Sequence, residues 1–194
     1  FIIDNENDLK VLLEHIGKSK QKINLLLRMK LKEHTIQTGK HYVYGMYSSR
    51  VNELLPVLRK NPNINELGIH FHRKTQNISE WSLKEELQDT ITKENWKIIG
   101  LVNIGGGIPA EYKNFNKSVI ETIFCKIRNL RAWLNNQKIK MIIEPGRYIA
   151  SNPVKIEAAI VNIYDSNIVI DCSVYNSAMD TFVAHIRLLV ENEL

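Results

Sequence analysis

Short apolar runs that alternate with helix-spaced segments most limit what this chain can fold into. The runs occupy residues 1–3, 23–29, 67–72, 98–104 and 140–144. Between them, apolar residues recur three or four positions apart, which is the spacing of one helix face, as in Leu9, Leu12, Leu13 and Ile16. Strands that are apolar along their whole length are typical of a parallel sheet covered by helices. The pattern predicts an α/β fold in which these runs are the strands.

Local signals predict where the first helices begin and end. We expect Asp4-Asn5 to cap the first helix and Gly17 to end it. Ser48-Ser49 is predicted to cap the next helix, in which Pro56 is an awkward interior residue. Residues 32–45 are polar, contain two glycines and are predicted to form a long loop.

The character of the sequence changes near residue 150. Closure of a β/α barrel needs eight strands and about 250 residues, so residues 1–149 are predicted to form about the last five strands of a partial (β/α)8 barrel. Residues 155–164 and 168–174 predict a β-hairpin, and residues 182–190 predict a further strand. Residues 150–194 are therefore expected to begin an antiparallel β-domain.

Composition excludes several classes of protein. Of the 194 residues, 44% are hydrophobic and 24% are charged, the usual balance of a globular protein. The net charge is +5 and the pI about 9.1, but the basic residues are scattered among acids, so nucleic acid is not an expected partner. No apolar run approaches the roughly 18 residues that span a bilayer, and the start of the chain lacks a signal-peptide pattern. Cys125 and Cys172 are too few for a disulfide scaffold, which favours reduced thiols and a cytoplasmic location.

Two segments that each follow an apolar run are candidates for binding a phosphate. Gly105-Gly106-Gly107 exposes backbone N–H groups that can surround an anion, although a tight turn without a ligand is the alternative. Arg147 offers a charge-assisted contact to phosphate worth about 1.5–3 kcal/mol. Glu144 could then face a cofactor ring, and a surface ion pair between Glu144 and Arg147 is the alternative. Active sites of such folds are built at these carboxyl ends of parallel strands.

A third segment runs from His70 through His72 to Thr75. His70 and His72 are predicted to point to the same side of one strand. That geometry permits a metal site, but no third ligand with suitable spacing is evident, so no metal is expected. The remaining alternatives are a core histidine with satisfied hydrogen bonds, and an imidazole stacked on a planar cofactor with the Thr75 hydroxyl on its phosphate.

Taken together, the segments GIHFHRKTQN, VNIGGGIP and IIEPGRYIAS resemble the alanine-racemase-type barrel decarboxylases that depend on pyridoxal phosphate, namely the diaminopimelate, arginine and ornithine decarboxylases. The segments occur in the family's order at comparable spacing, and the resemblance covers nearly the whole chain. It implies that His72 stacks on the pyridine ring and that Glu144 binds the ring nitrogen, both in catalytic roles. It also implies further cofactor-binding residues: Arg28, Thr75, Gly105, Gly106, Gly107 and Arg147.

The chain departs from the family pattern at several points. The family's Schiff-base lysine lies in a Tyr-Ala-Val-Lys-like segment that is absent here and would precede the first residue. The family's catalytic cysteine and a phosphate-contacting tyrosine would lie beyond Leu194, and neither Cys172 nor Tyr175 has a matching context. Val43-Tyr44-Gly45 and Arg73-Lys74 also replace the usual residues. These changes bear on substrate identity more than on cofactor binding.

The resemblance implies decarboxylation of a basic amino acid with pyridoxal phosphate, this chain supplying only part of the active site. Alone, the chain is expected to be inactive and to associate as a homodimer or with a complementing chain, away from membranes. One alternative is a non-catalytic homologue or regulatory scaffold that retains the cofactor-binding barrel. Another is a phosphate-binding barrel enzyme without pyridoxal phosphate. The His-Phe-His form looks closer to the diaminopimelate and arginine branches than to the ornithine decarboxylases.

Overall fold

A computed structural model of the protein describes residues 1–31, 44–115 and 118–191. Its strands are β1 (Ile2–Ile3), β2 (Ile23–Arg28), β3 (Ile64–His70), β4 (Leu101–Asn103), β5 (Lys140–Ile142), β6 (Ile160–Tyr164) and β7 (Asn167–Ile170). Its helices are α1 (Glu6–Ser19), α2 (Ser48–Arg59), α3 (Leu83–Thr90), α4 (Lys93–Trp96), α5 (Ser118–Asn136), α6 (Gly146–Ala150), α7 (Val174–Ser177) and α8 (Asp180–Val183).

The first five strands form one parallel sheet in the order of the sequence, β1-β2-β3-β4-β5. This arrangement confirms the predicted α/β fold and its five strands. Leu25 and Leu27 of β2 are fully buried, as are Leu55 of α2, Leu87 of α3 and Leu130 of α5. Each such side chain contributes about 1.5–3 kcal/mol of burial free energy. The helices therefore hold the sheet rigid and fix the positions of its strand ends.

Two predicted helix boundaries are wrong. Asn5 does cap α1, because its side chain accepts a hydrogen bond from the N–H of Asp8. Gly17, however, lies inside the helix, which continues to Ser19 and ends where Lys20 adopts a left-handed conformation with φ 54°. The predicted Ser48-Ser49 cap is also wrong, since both serines lie within α2 and Tyr47 precedes them at the cap position without a side-chain bond. Of the predicted loop at residues 32–45, residues 32–43 lie outside the described residues.

Pro56 is tolerated inside α2 because another residue satisfies the carbonyl group that it leaves without a donor. A proline has no N–H, so the carbonyl oxygen of Asn52, four residues earlier, loses its helical hydrogen bond. The side chain of Asn95, which is 3% exposed, donates to that oxygen at 2.9 Å. Asn95 also donates to the Asn52 side chain at 2.8 Å, so α4 is joined to α2 at this point.

The final part of the chain agrees with the prediction only in part. Strands β6 and β7 form the expected antiparallel hairpin, although both are shorter than predicted. The strand predicted at residues 182–190 is wrong, because Asp180–Val183 is helix α8 and the following residues form no strand. Instead, Ile186 is buried against Tyr112, and the backbone N–H of Lys113 donates to the carbonyl of Arg187 at 2.8 Å. Among the described residues, no helix is long and apolar enough to cross a membrane.

Candidate active site

The carboxyl ends of three neighbouring strands form one row of polar residues. Arg28 ends β2, His70 ends β3 and Asn103 ends β4, and they occupy adjacent register positions beside Ile142 of β5. The loops that leave β3, β4 and β5 carry His72, the glycines and Glu144. Because the sheet is parallel, every one of these loops emerges on the same edge.

The glycine loop, Gly105–Gly107, lies so close to its neighbours that it has no room for side chains. An ideal Cβ at Gly106 would lie 2.7 Å from the carbonyl oxygen of Glu144 and 3.0 Å from Cε1 of His72. Gly105 and Gly107 have positive φ angles of 63° and 91°, and their Cβ atoms would also overlap backbone oxygens. These positions require glycine for both conformation and space. The glycines therefore let this loop pack directly against the segments that follow β3 and β5.

The segment after β3 holds the glycine loop in place. The Gln76 side chain accepts a hydrogen bond from the N–H of Ala110 at 2.7 Å and donates to the Ala110 carbonyl at 3.2 Å. The N–H of Asn77 donates to the carbonyl of Gly107 at 3.1 Å. Arg73 is buried and pairs with Glu86 of α3, so this departure from the family pattern joins the loop to a helix.

Glu144 is fixed at both its backbone and its side chain. Its N–H donates to the carbonyl of Gly105 at 2.7 Å, and its Oε1 accepts a hydrogen bond from Nδ2 of Asn103 at 2.7 Å. Its second oxygen, Oε2, lies 3.9 Å from Nε2 of His70 and 3.9 Å from Nδ1 of His72. The Glu144 side chain is 42% exposed, so a ligand above the strand ends can reach it.

The two histidines differ in position and in environment. The prediction that they share one strand face is wrong, because β3 ends at His70 and His72 lies in the following loop. Burial lowers the pKa of His70 to about 4, with Glu144 opposing and the Arg28 charge reinforcing that effect. Burial and then the charge of Arg28 lower the pKa of His72 as well. Nδ1 of His72 accepts a hydrogen bond from the N–H of Gly106 at 3.2 Å, so this ring is neutral and oriented at neutral pH.

Of the remaining predicted residues, Arg28 acts on the two histidines, whereas the described contacts do not join Arg147 or Thr75 to them. The Arg28 guanidinium lies 5.4 Å from the ring centre of Tyr44, and its charge acts on both histidines. Nη1 of Arg147 lies 3.0 Å from Oδ2 of Asp180 in α8, so its ion-pair partner is Asp180 and not Glu144, the partner in the alternative interpretation. Thr75 lies in an exposed turn, and within the described residues it makes no hydrogen bond with the cluster.

Sequence reasoning missed two features of this edge. Asn103 was part of a recognised segment but its bond to Glu144 was not foreseen, because it joins residues 41 positions apart. A third ligand-type residue beside the two histidines was also missed: one ligand atom each from His70, His72 and Glu144 lies within 4.8 Å of the others. Two of these groups, His72 and Glu144, also contact the glycine loop. That no metal binds here stays a prediction.

Comparisons with known proteins identify the family and the fold of the chain. Residues 1–151 match the sequence profile of the family described as "Pyridoxal-dependent decarboxylase, pyridoxal binding domain". Diaminopimelate decarboxylase of Aquifex aeolicus is 27% identical over 165 residues, which are 78% of this chain and 38% of that protein.

Solved structures show the same fold. Diaminopimelate decarboxylase of Helicobacter pylori, complexed with L-lysine, has a TM-score of 0.71 at 14% identity. Lysine/ornithine decarboxylase of Vibrio vulnificus, complexed with cadaverine, has a TM-score of 0.68 at 17% identity. Each comparison covers 97% of this chain and 50% of the other, so this chain spans half or less of the length of the relatives it matches.

This likeness confirms the predicted partial β/α barrel followed by the start of an antiparallel β-domain. The family profile spans the whole parallel sheet and both loops that border the Glu144 carboxylate. It therefore excludes the alternative of a phosphate-binding barrel without pyridoxal phosphate. The chain belongs to the family of pyridoxal-dependent decarboxylases, and pyridoxal phosphate is the cofactor of its barrel.

Proposed function

We propose that this chain forms the cofactor-binding part of an enzyme that decarboxylates a basic amino acid of the diaminopimelate, arginine or ornithine type. The observation that carries the proposal is the meeting of the glycine loop, the His72 ring and the Glu144 carboxylate at one edge of the sheet. The names of the relatives support the substrate class, since they are decarboxylases of diaminopimelate and of lysine or ornithine.

The residues present fit pyridoxal phosphate. Both ring nitrogens of His70 are buried without a hydrogen-bond partner among the described residues, which indicates a polar site that a ligand completes. The N–H groups of Gly105 and Gly106 already donate to Asn103 and His72. The N–H of Gly107 has no acceptor within the described residues, so it is the glycine amide best placed to meet a phosphate oxygen.

Each side chain of the cluster has a role toward the ring. The neutral, oriented imidazole of His72 would stack on one face of the pyridine without adding a competing positive charge. Oε2 of Glu144 would accept the hydrogen bond of the ring nitrogen and hold the proton there. Bound pyridoxal phosphate supplies an electron sink: its protonated ring accepts the electron pair left when the bond between the substrate Cα and its carboxylate breaks.

The phosphate would bind beside the ring at the same edge of the sheet. We assign it to the Gly107 amide, the Thr75 hydroxyl and the guanidinium of Arg147. Arg147 is the largest contributor, because a hydrogen bond to a charged group is worth about 1.5–3 kcal/mol. Arg28, whose charge already acts on both histidines, would favour the anionic cofactor as a whole.

Completion of the site requires residues from outside this chain. We propose that a lysine from an earlier barrel strand binds the cofactor and that residues 150–194 open a second, β-rich domain. Ile142 and Ile143 at one sheet edge and Ile2 at the other are 41%, 38% and 43% exposed, which supports further strands or a partner chain there. We place the enzyme in the cytoplasm as a dimer. The alternative remains a non-catalytic homologue that keeps the cofactor site.

Binding measurements on the full-length polypeptide test the two halves of the site separately. Glu144→Gln is expected to weaken binding of both pyridoxal phosphate and pyridoxal by about tenfold, because both contain the ring nitrogen. Arg147→Gln is expected to weaken pyridoxal phosphate by about tenfold and to leave pyridoxal within about twofold. Arg59→Gln, at the exposed end of α2 that contacts the start of β3, is the matched control and should change neither.

Equal losses for both ligands in Arg147→Gln would contradict the assigned phosphate site. Release of carbon dioxide from a panel of basic amino acids then separates the two candidate functions. Turnover of one of them supports the decarboxylase, whereas tight cofactor binding without any turnover supports the non-catalytic homologue.

A further inference from the structure

We infer that Asn103 is a positioning residue that selects which oxygen of Glu144 meets the ring nitrogen of the cofactor. The inference rests on the proposed function, because it concerns the same ring site. Asn103 ends β4 and is 4% exposed, so its amide lies in the protein interior just beneath the glycine loop.

Both ends of the Asn103 amide are engaged. Nδ2 donates to Oε1 of Glu144 at 2.7 Å, and Oδ1 accepts from the N–H of Gly105 at 2.9 Å. A carboxylate can only accept and a backbone N–H can only donate, so these two partners also fix the orientation of the amide. The Asn103 side chain thus joins the carboxylate of Glu144 to the glycine loop.

The bond to Asn103 makes the two oxygens of Glu144 inequivalent. Oε1 is occupied, whereas Oε2 faces the histidines at 3.9 Å and is the oxygen open to the ring. A side chain that is 42% exposed would otherwise exchange between rotamers and present either oxygen. The amide holds the carboxylate without placing a second charge or a transferable proton beside it.

The residue type at this position follows from that double role. Aspartate could still accept from Gly105, but it has no hydrogen to give and would place a second negative charge against Glu144. Glutamine would move its amide outward by one methylene and could not keep both short bonds. Of these carboxylate and amide side chains, only asparagine has the required length and both a donor and an acceptor.

The test compares pyridoxal phosphate with 1-deaza-pyridoxal phosphate, in which a C–H group replaces the ring nitrogen. Asn103→Ala in the full-length polypeptide is expected to weaken pyridoxal phosphate about tenfold more than the deaza analogue, since only the former needs an oriented Glu144. In a Glu144→Gln background, the same substitution should change the ratio of the two affinities by less than about twofold. Asn95→Ala, which removes another buried amide, is the control and should leave the ratio unchanged.

Equal loss of both ligands would overturn the inference, because it would show that Asn103 acts only through the fold or the phosphate loop. Unchanged affinities would overturn it as well. If alanine unfolds the chain, Asn103→Ser, which keeps a polar atom in the buried position, provides the comparison. Failure of the unaltered polypeptide to bind pyridoxal phosphate at all would instead contradict the proposed function itself.

Discussion

Replacing Gly106 by alanine tests whether the close packing of the loops that follow β3, β4 and β5 determines both stability and cofactor binding. The added Cβ would lie 2.7 Å from the carbonyl oxygen of Glu144, a backbone atom that cannot rotate away. Forcing extra atoms into such a contact costs about 1–3 kcal/mol. For a chain of this size, that cost corresponds to a fall in Tm of about 2–12 °C. Because Glu144 or His72 must shift, affinity for pyridoxal phosphate should fall by about tenfold or more, equivalent to about 1.4 kcal/mol.

The matched control is Gly17→Ala. Gly17 lies within α1, where an added Cβ meets no atom within 4 Å. Alanine is the better helix former, so this variant should gain about 0.5–1 kcal/mol of stability and bind the cofactor normally. Thermal unfolding measures the Tm of both variants, and fluorescence titration measures their affinity for pyridoxal phosphate. If Gly106→Ala kept the unaltered Tm and the unaltered affinity, the described closeness of the loops would be wrong.

Three further outcomes follow from contacts described above. Asp180→Asn should raise the affinities for phosphate and for pyridoxal phosphate a few-fold, because it releases Arg147, and should change stability by less than about 1 kcal/mol. Titration with both ligands tests this, and unchanged affinities would show that the Arg147–Asp180 ion pair does not compete with the ligand. The pKa of His70 is lowered in the folded chain to about 4, so the unfolded chain binds more protons, and stability should fall by up to about 1.4 kcal/mol per pH unit as the pH drops from about 6.5 toward 4. In denaturant unfolding, His70→Gln should lose less stability per pH unit than the unaltered chain, and an equal loss would refute the lowered pKa of His70. Asn95→Ala should lower the free energy of unfolding by about 1–3 kcal/mol, and by less in a Pro56→Ala background, where the N–H of residue 56 can donate to the Asn52 carbonyl. Equal losses in both backgrounds would contradict the role of the Asn95 hydrogen bond in compensating for Pro56.

The strands and the placement of the site could be predicted because they depend on local sequence. Apolar runs identify β2 to β5, and parallel topology then brings every following loop to one edge. No long-range information was needed to expect that Gly105–Gly107 and Glu144 lie near one another. Their contact, in which the Glu144 N–H donates to the Gly105 carbonyl, follows once β4 and β5 are neighbours.

The errors arise where a local preference does not decide the structure. Gly17 is a common helix end, but nothing in α1 requires the chain to turn there, and the helix continues until Lys20. The apolar spacing in residues 182–190 suits a strand, but Ile186 is buried against Tyr112 instead. The partner of Arg147 could not be predicted, since Asp180 reaches it through a short helix whose position depends on packing.

The order of the strands explains why a partial barrel can carry so much of one cofactor site. In this sheet, neighbours in sequence are neighbours in space, so any continuous stretch of chain supplies a continuous arc of strand ends. A ligand no larger than one ring and one phosphate spans only a few of those ends, because adjacent strands lie about 4.8 Å apart. The residues proposed to stack on the ring, to bind the phosphate and to hold the ring nitrogen follow β3, β4 and β5, respectively, and therefore stay together. A group on a strand across the barrel is separated from them in sequence for the same reason, which is why we propose that the lysine comes from outside this arc.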